Sequence, residues 1–218
     1  MRYDKAALMQ AMTLYAVTDR SWLKAGETLP QAVEQAILGG ATFIQLREKE
    51  LDHDVFLALA LEVGAVCRKY RVPFVINDDV QIALECDADG VHVGQADMEA
   101  ARARAILGPD KLIGVSVHTV EEALEARAQG ADCLGVGTMF PTTTKADAEA
   151  VSFDMLREIC NVSELPTVAI GGIGAHNIHL LKGTGIAGVA VVSAIFAAAD
   201  IRAASAELKK LAEEVKTT

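Results

Sequence analysis

Two periods of apolar residues alternate along the chain. Short runs rich in Val, Ile, Leu and Phe, bounded by Gly, Pro or Asp, read as strands. They cover Leu14 to Asp19, Phe43 to Glu48, Phe74 to Asp78, Gly90 to Gly94, Leu112 to Val117, Cys133 to Thr138, Thr167 to Gly172 and Gly188 to Ser193. Longer stretches with apolar residues three and four apart predict helices over Leu29 to Leu38, Val55 to Tyr70, Met98 to Leu107, Val120 to Gln129 and Phe153 to Cys160. A closing helix runs from Ile201 to Val215.

Strand and helix in strict alternation imply parallel strands joined by crossover helices. Eight such repeats in 218 residues predict one α/β domain, a (β/α)8 TIM barrel over 1–218, with residues 1–12 as a short helical N-terminal extension. An open doubly wound sheet would carry a glycine-rich loop after its first strand. Val17-Thr18-Asp19-Arg20 is no such loop. The turns Gly39-Gly40-Ala41-Thr42, Ala88-Asp89-Gly90 and Gly130-Ala131-Asp132 precede strands and read as glycine C-caps on the face away from the site.

Charge narrows the function classes. With 20 basic and 30 acidic residues the formal charge is −10, which argues against nucleic-acid and anionic-membrane surfaces. No uncharged apolar run is long enough to span a bilayer, and the first residues lack a signal core, so a cytoplasmic protein is expected. The four cysteines have no C-x-x-C spacing and read as buried thiols. A chain this acidic can hold an anion only where its cations are gathered locally.

Barrel active sites lie where strands end, which turns the strand map into candidates. On the second strand Gln45, Arg47 and Lys49 share one face, Ile44 and Leu46 the other. The polar face suits an anion at the barrel mouth, against an internal ion pair with Glu48 or Glu50 as the structural reading. Asp78 and Asp97, at the ends of the third and fourth strands, are the chosen carboxylates for Mg2+, which takes one or two of them with phosphate and water. Asp79 reads as the cap of a helix starting near Val80. Ser116 points one hydroxyl to the mouth beside His118, and His92 reads as a barrel-interior histidine. No histidine receives a catalytic role. Thr142, Thr143, Thr144 and Lys145 follow the sixth strand as hydroxyl donors and a cation, or as a solvated loop, and the stretch from Thr142 to Val151 has the place of a lid. Gly171-Gly172-Ile173 after the seventh strand, with Val192 and Ser193 after the eighth, reads as a phosphate cradle. One cationic cluster and one neutral cradle suggest two phosphorylated ligands.

Together these stretches resemble the thiamine-phosphate synthase family. Gln45-Leu46-Arg47-Glu48-Lys49, Asn77-Asp78-Asp79, Gly94-Gln95-Ala96-Asp97, Gly114-Val115-Ser116-Val117-His118-Thr119, Pro141-Thr142-Thr143-Thr144-Lys145, Gly171-Gly172-Ile173 and Val192-Ser193-Ala194-Ile195 occur in family order. The resemblance implies a transferase of thiamine biosynthesis that joins an aminopyrimidine diphosphate to a thiazole phosphate. It implies that Gln45, Leu46, Arg47, Glu48, Lys49, Asn77, Ser116 and Lys145 hold the pyrimidine diphosphate, with Arg47, Lys49, Ser116 and Lys145 catalytic. Thr142, Thr143, Thr144, Gly172, Val192 and Ser193 would hold the thiazole phosphate, and Asp78 and Asp97 the Mg2+ cofactor. Thr138-Met139 departs from the family's usual Gly-Pro. Small phosphate substrates are the expected partners, and a homo-oligomer is compatible with the sequence. Three rival readings differ in the residues they require. A thiazole tautomerase-like paralogue would not need the metal carboxylates, a sugar-phosphate epimerase would need acid and base pairs or metal-binding histidines, and a precursor-binding regulator would need no catalytic set.

Overall fold

The computed structural model describes residues 4–142 and 150–216. Eight strands pair in parallel in chain order, and the last closes on the first. They are β1 (Leu14–Val17), β2 (Phe43–Leu46), β3 (Phe74–Asn77), β4 (Gly90–Val93), β5 (Leu112–Val117), β6 (Cys133–Val136), β7 (Thr167–Ile170) and β8 (Gly188–Val191). All eight begin where the apolar runs begin, and most stop one or two residues sooner. Val192, with φ −114° and ψ −86°, leaves the extended region, so β8 ends before Ser193 and a short helix starts there.

α1 (Lys5–Ala11) lies against the floor of the barrel, and the outer layer is α2 (Leu29–Leu38), α3 (His53–Tyr70), α4 (Val80–Glu85), α5 (Ala100–Leu107), α6 (Val120–Ala128), α7 (Phe153–Ser163), α8 (Ser193–Phe196) and α9 (Ile201–Lys216). Thr28 and Gln31 form a capping box on α2, and Asp79 Oδ1 accepts from Ile82 N–H to cap α4, as read from the sequence. Between β7 and β8 the crossover is a single 3-10 turn, Ile178–Leu181, rather than an α-helix.

Alternation sorts every strand into two cores. Leu14, Ala16, Ile44, Leu46, Phe74, Ile76, Ile113 and Val115 face outward against the helices. Tyr15, Val17, Phe43, Val75, Leu112, Cys133 and Val168 fill the barrel, and Leu8 and Met12 at the α1 end seal its floor. Burying these apolar side chains is the main driving force, at roughly 1.5–3 kcal/mol for each large one. Lys216 Nζ holds the end of α1 by donating to Met9 O and Thr13 Oγ1, tying the last helix to the floor.

The side chains just before three strands fix the neighbouring strand. Thr42 Oγ1 accepts from Leu14 N–H, Asp89 Oδ2 from Phe74 N–H, and Asp132 Oδ2 from Ile113 N–H, at 2.8–2.9 Å. Gly40 and Gly130 do take positive φ as C-cap glycines. Gly90 does not, which corrects the reading of Ala88-Asp89-Gly90. There Asp87 carries the left-handed turn, and Gly90 opens β4 where a Cβ would stand 2.0 Å from Leu112 O.

Candidate active site

A cavity of about 380 Å³ opens where the strands end, lined from both sides of the barrel. Gln45, Arg47 and Lys49 reach it on one side with Asn77, Asp78, Asp97 and Ser116, and Gly171, Gly172, Val192 and Ser193 line the other. Thr142 and Thr138 stand between them. Thr143, Thr144 and Lys145, and most of the stretch assigned as a lid, lie outside the described residues.

The alternation of β2 explains which of its residues arrive. Leu46 is fully buried against the helices. Glu48 turns aside to accept from Arg20 Nε at 2.8 Å, its other carboxylate oxygen buried with no hydrogen-bond partner among the described residues. Neither lines the cavity, although the family resemblance implies a binding role for both. Gln45 is held from below, its amide Nε2 donating to the buried Tyr15 hydroxyl at 2.8 Å. Burial raises the Tyr15 phenol well above its ordinary range and keeps it neutral. Arg47 is anchored through its backbone, its N–H donating to Thr18 Oγ1 at 3.0 Å. Its guanidinium has no side-chain partner among the described residues.

Asp78 sits at φ +63°, in the left-handed region that few residues other than glycine enter and that Asp and Asn enter most readily, with its N–H donating to His92 O at 2.8 Å. That turn brings its carboxylate to Lys49 Nζ at 2.5 Å. Asp97 comes from the loop after β4, where its Oδ2 accepts from Gly94 N–H at 2.8 Å. Burial, then the hydrogen-bonded neighbour Asp78, raises the Asp97 carboxyl above the ordinary aspartate value, despite the Gly94 N–H and Lys49. No three His, Cys, Asp or Glu side chains converge as a metal cage among the described residues. An oxygen-only pair with open positions fits Mg2+ completed by substrate phosphate and water.

The opposite wall is shaped by glycine. Gly172 has φ +62°, and a Cβ there would lie 2.5 Å from Pro141 O and 2.8 Å from Phe140 O. A Cβ on Gly171 would stand 2.4 Å from Thr138 Oγ1. Asn177, unremarked in the sequence, pins this loop at both ends: its amide donates to Gly172 O and its Oδ1 accepts from Gly174 N–H, each at 2.9 Å. Its only sequence signal is an Asn placed three residues beyond a glycine-rich turn.

His92 stands inside the barrel, as its position between Val91 and Val93 suggested. Burial depresses its imidazole to about 4, so it is neutral. His118 lines the mouth and bonds Glu122. Cys67, Cys86 and Cys133 are buried free thiols, with Cys67 and Cys133 pushed up to about 12 chiefly by burial. No helix among the described residues is long and apolar enough to cross a membrane.

A family model described as thiamine monophosphate synthase matches residues 14–195. The chain belongs to this family. Within it, the chain is 48% identical over 196 residues to the thiamine-phosphate synthase of Clostridium tetani, covering 90% of this chain and 93% of that one. It is 50% identical over 199 residues to that of Ruminiclostridium cellulolyticum, covering 91% and 94%. Among solved structures it is similar to a thiamine phosphate pyrophosphorylase from Pyrococcus furiosus, with a TM-score of 0.88 and 40% identity over 95% of this chain and 98% of that one. The matched residues span all eight strands and both walls of the cavity.

Proposed function

We propose that this member of the thiamine monophosphate synthase family joins an aminopyrimidine diphosphate to a thiazole phosphate, forming thiamine phosphate and releasing diphosphate. One observation carries the reading: a single cavity has cations and paired carboxylates on one wall and a glycine-shaped, uncharged cradle on the other. Two phosphorylated ligands side by side use both walls. An isomerase acting on one thiazole phosphate leaves the cationic wall without a task.

In this reading the bond between the exocyclic methylene carbon and the diphosphate oxygen breaks, and its electron pair leaves with diphosphate. The lone pair of the thiazole nitrogen then forms the new carbon–nitrogen bond, and the pyrimidine amino group stabilises the intervening cation. No side-chain nucleophile takes part. Arg47 and Lys49 neutralise charge on the departing diphosphate as cations already in place before the bond breaks. Gln45, Asn77 and Ser116 orient the pyrimidine. Gly172, Val192 and Ser193 hold the thiazole phosphate in line, so the reaction gains from alignment of two bound reactants. Asp78 and Asp97 would hold Mg2+, which when bound acts as a Lewis acid on diphosphate oxygens. Thr142, Thr143, Thr144 and Lys145 are assigned to the two phosphates on the family pattern.

The test is direct. Both substrates are supplied with Mg2+, and thiamine phosphate and diphosphate are followed with and without EDTA. Equal formation of both products, abolished by EDTA, is expected. Absence of coupled product from the folded, Mg2+-supplied protein overturns the reading.

A further inference from the structure

His92 lies on the floor of the cavity, and no role assigned above uses its ring. Its Nε2 is 3.1 Å from Ser116 Oγ. Tyr15 meets the ring edge-on, with centroids 6.3 Å apart. The inward faces of Gly114 and Gly135 leave it room: a Cβ at Gly114 would stand 2.4 Å from Nδ1, and one at Gly135 3.2 Å from Nε2. Nδ1 is buried and has no hydrogen-bond partner among the described residues.

We infer that His92 is a positioning residue, which donates its Nε2–H to Ser116 Oγ and so aims the Ser116 proton at the bound pyrimidine diphosphate. A neutral imidazole has one N–H and one bare nitrogen. A proton on Nδ1 would point at the Cα of Gly114 and be an orphaned buried donor. A bare Nδ1 instead faces the Gly114 Cα–H that stands where a Cβ would be, a weak but favourable contact. The proton therefore sits on Nε2, facing Ser116.

A serine oxygen that accepts from Nε2–H must turn its own hydrogen elsewhere, and the open direction is the cavity that Ser116 lines. Accepting one hydrogen bond also makes the hydroxyl a better donor. The recipient is a lone pair of the pyrimidine diphosphate, a ring nitrogen or a phosphate oxygen; this part rests on the proposed reaction. His92 and Ser116 are then not a base and its nucleophile. No carboxylate backs Nδ1, and the proton between the two residues already belongs to the ring.

Nitrogen-15 NMR of the full-length wild-type chain above pH 7, with the His92 ring assigned through bonds from its own backbone, reads the tautomer without substrate. Protonated Nε2 with bare Nδ1 is expected, and the reverse overturns the inference. A double-mutant cycle tests the coupling. His92→Met lowers kcat by about tenfold while leaving the KM for the thiazole phosphate unchanged, and His92→Gln, which restores an N–H near Nε2, regains most of that loss. In a Ser116→Ala background His92→Met causes no further loss. Additive losses show a role independent of Ser116 and overturn the inference. Should the variants not fold, the tautomer measurement on the unaltered protein decides alone. Wild-type protein that makes no thiamine phosphate refutes the proposed reaction and leaves the tautomer result standing.

Discussion

Lys49 Nζ lies 2.5 Å from Asp78 Oδ2, joining the loop that follows β2 to the turn that ends β3. The ammonium is half exposed and lines the cavity. In that setting an ion pair adds at most about 1 kcal/mol to stability, because water screens it. Its significance is positional: a cation and a carboxylate wait together where a metal and an anion would part them.

Lys49→Ala and Asp78→Ala should therefore separate activity from folding. Each is expected to lower turnover at saturating substrate by roughly a hundredfold, equivalent to about 3 kcal/mol of transition-state stabilisation. Thermal unfolding should move by only a few degrees. Steady-state kinetics and melting curves on the same preparations check both halves.

Gly172→Ala should injure the opposite wall. The new methyl would press on Pro141 O and Phe140 O, and φ +62° strains any residue with a Cβ. A rise of about tenfold in the KM for the thiazole phosphate is expected, with the KM for the pyrimidine diphosphate nearly unchanged. Comparing the two KM values decides it.

Asn177→Ala tests the same wall from behind. Two hydrogen bonds to the loop vanish, leaving Gly172 O and Gly174 N–H without their partner, which costs about 1–3 kcal/mol. The KM for the thiazole phosphate should again rise while kcat/KM for the pyrimidine diphosphate holds. Chemical denaturation measures the stability loss.

Acid should weaken the fold partly through His92. Its folded value of about 4 lies below the ordinary 6.5, so between those values the unfolded chain holds more protons and stability falls as pH falls. Above pH 6.5 the group imposes no penalty, and below pH 4 the loss is complete at about 3 kcal/mol. Denaturation at pH 7 and pH 4.5 should show a larger loss for wild type than for His92→Gln.

Local periodicity explains what was legible in the sequence. Gln45, Arg47 and Lys49 share a face because strand side chains alternate, and all three reach the cavity. Asp79 before Val80 announced its own helix cap. Alternation also turns Leu46 and Glu48 away, so the family stretch is read as a unit only at the cost of its geometry. What stayed hidden depends on residues distant in sequence. The Arg20–Glu48 pair bridges 28 positions, and the His92–Ser116 contact needs the pairing of β4 with β5, which sets His92 beside Gly114. Asn177 acts through a loop whose shape its residue types do not specify. The 3-10 crossover before β8 is too short for a helical period to announce it.

The central claim is that two phosphorylated reactants share one mouth of this barrel, each on its own wall. A crystal structure of the protein with thiamine phosphate, diphosphate and Mg2+ measures it most directly. Diphosphate oxygens within hydrogen-bond reach of Arg47 and Lys49, a metal between Asp78 and Asp97, and the second phosphate against Gly172 and Ser193 are expected. Products bound elsewhere, or both phosphates gathered on one wall, would contradict it.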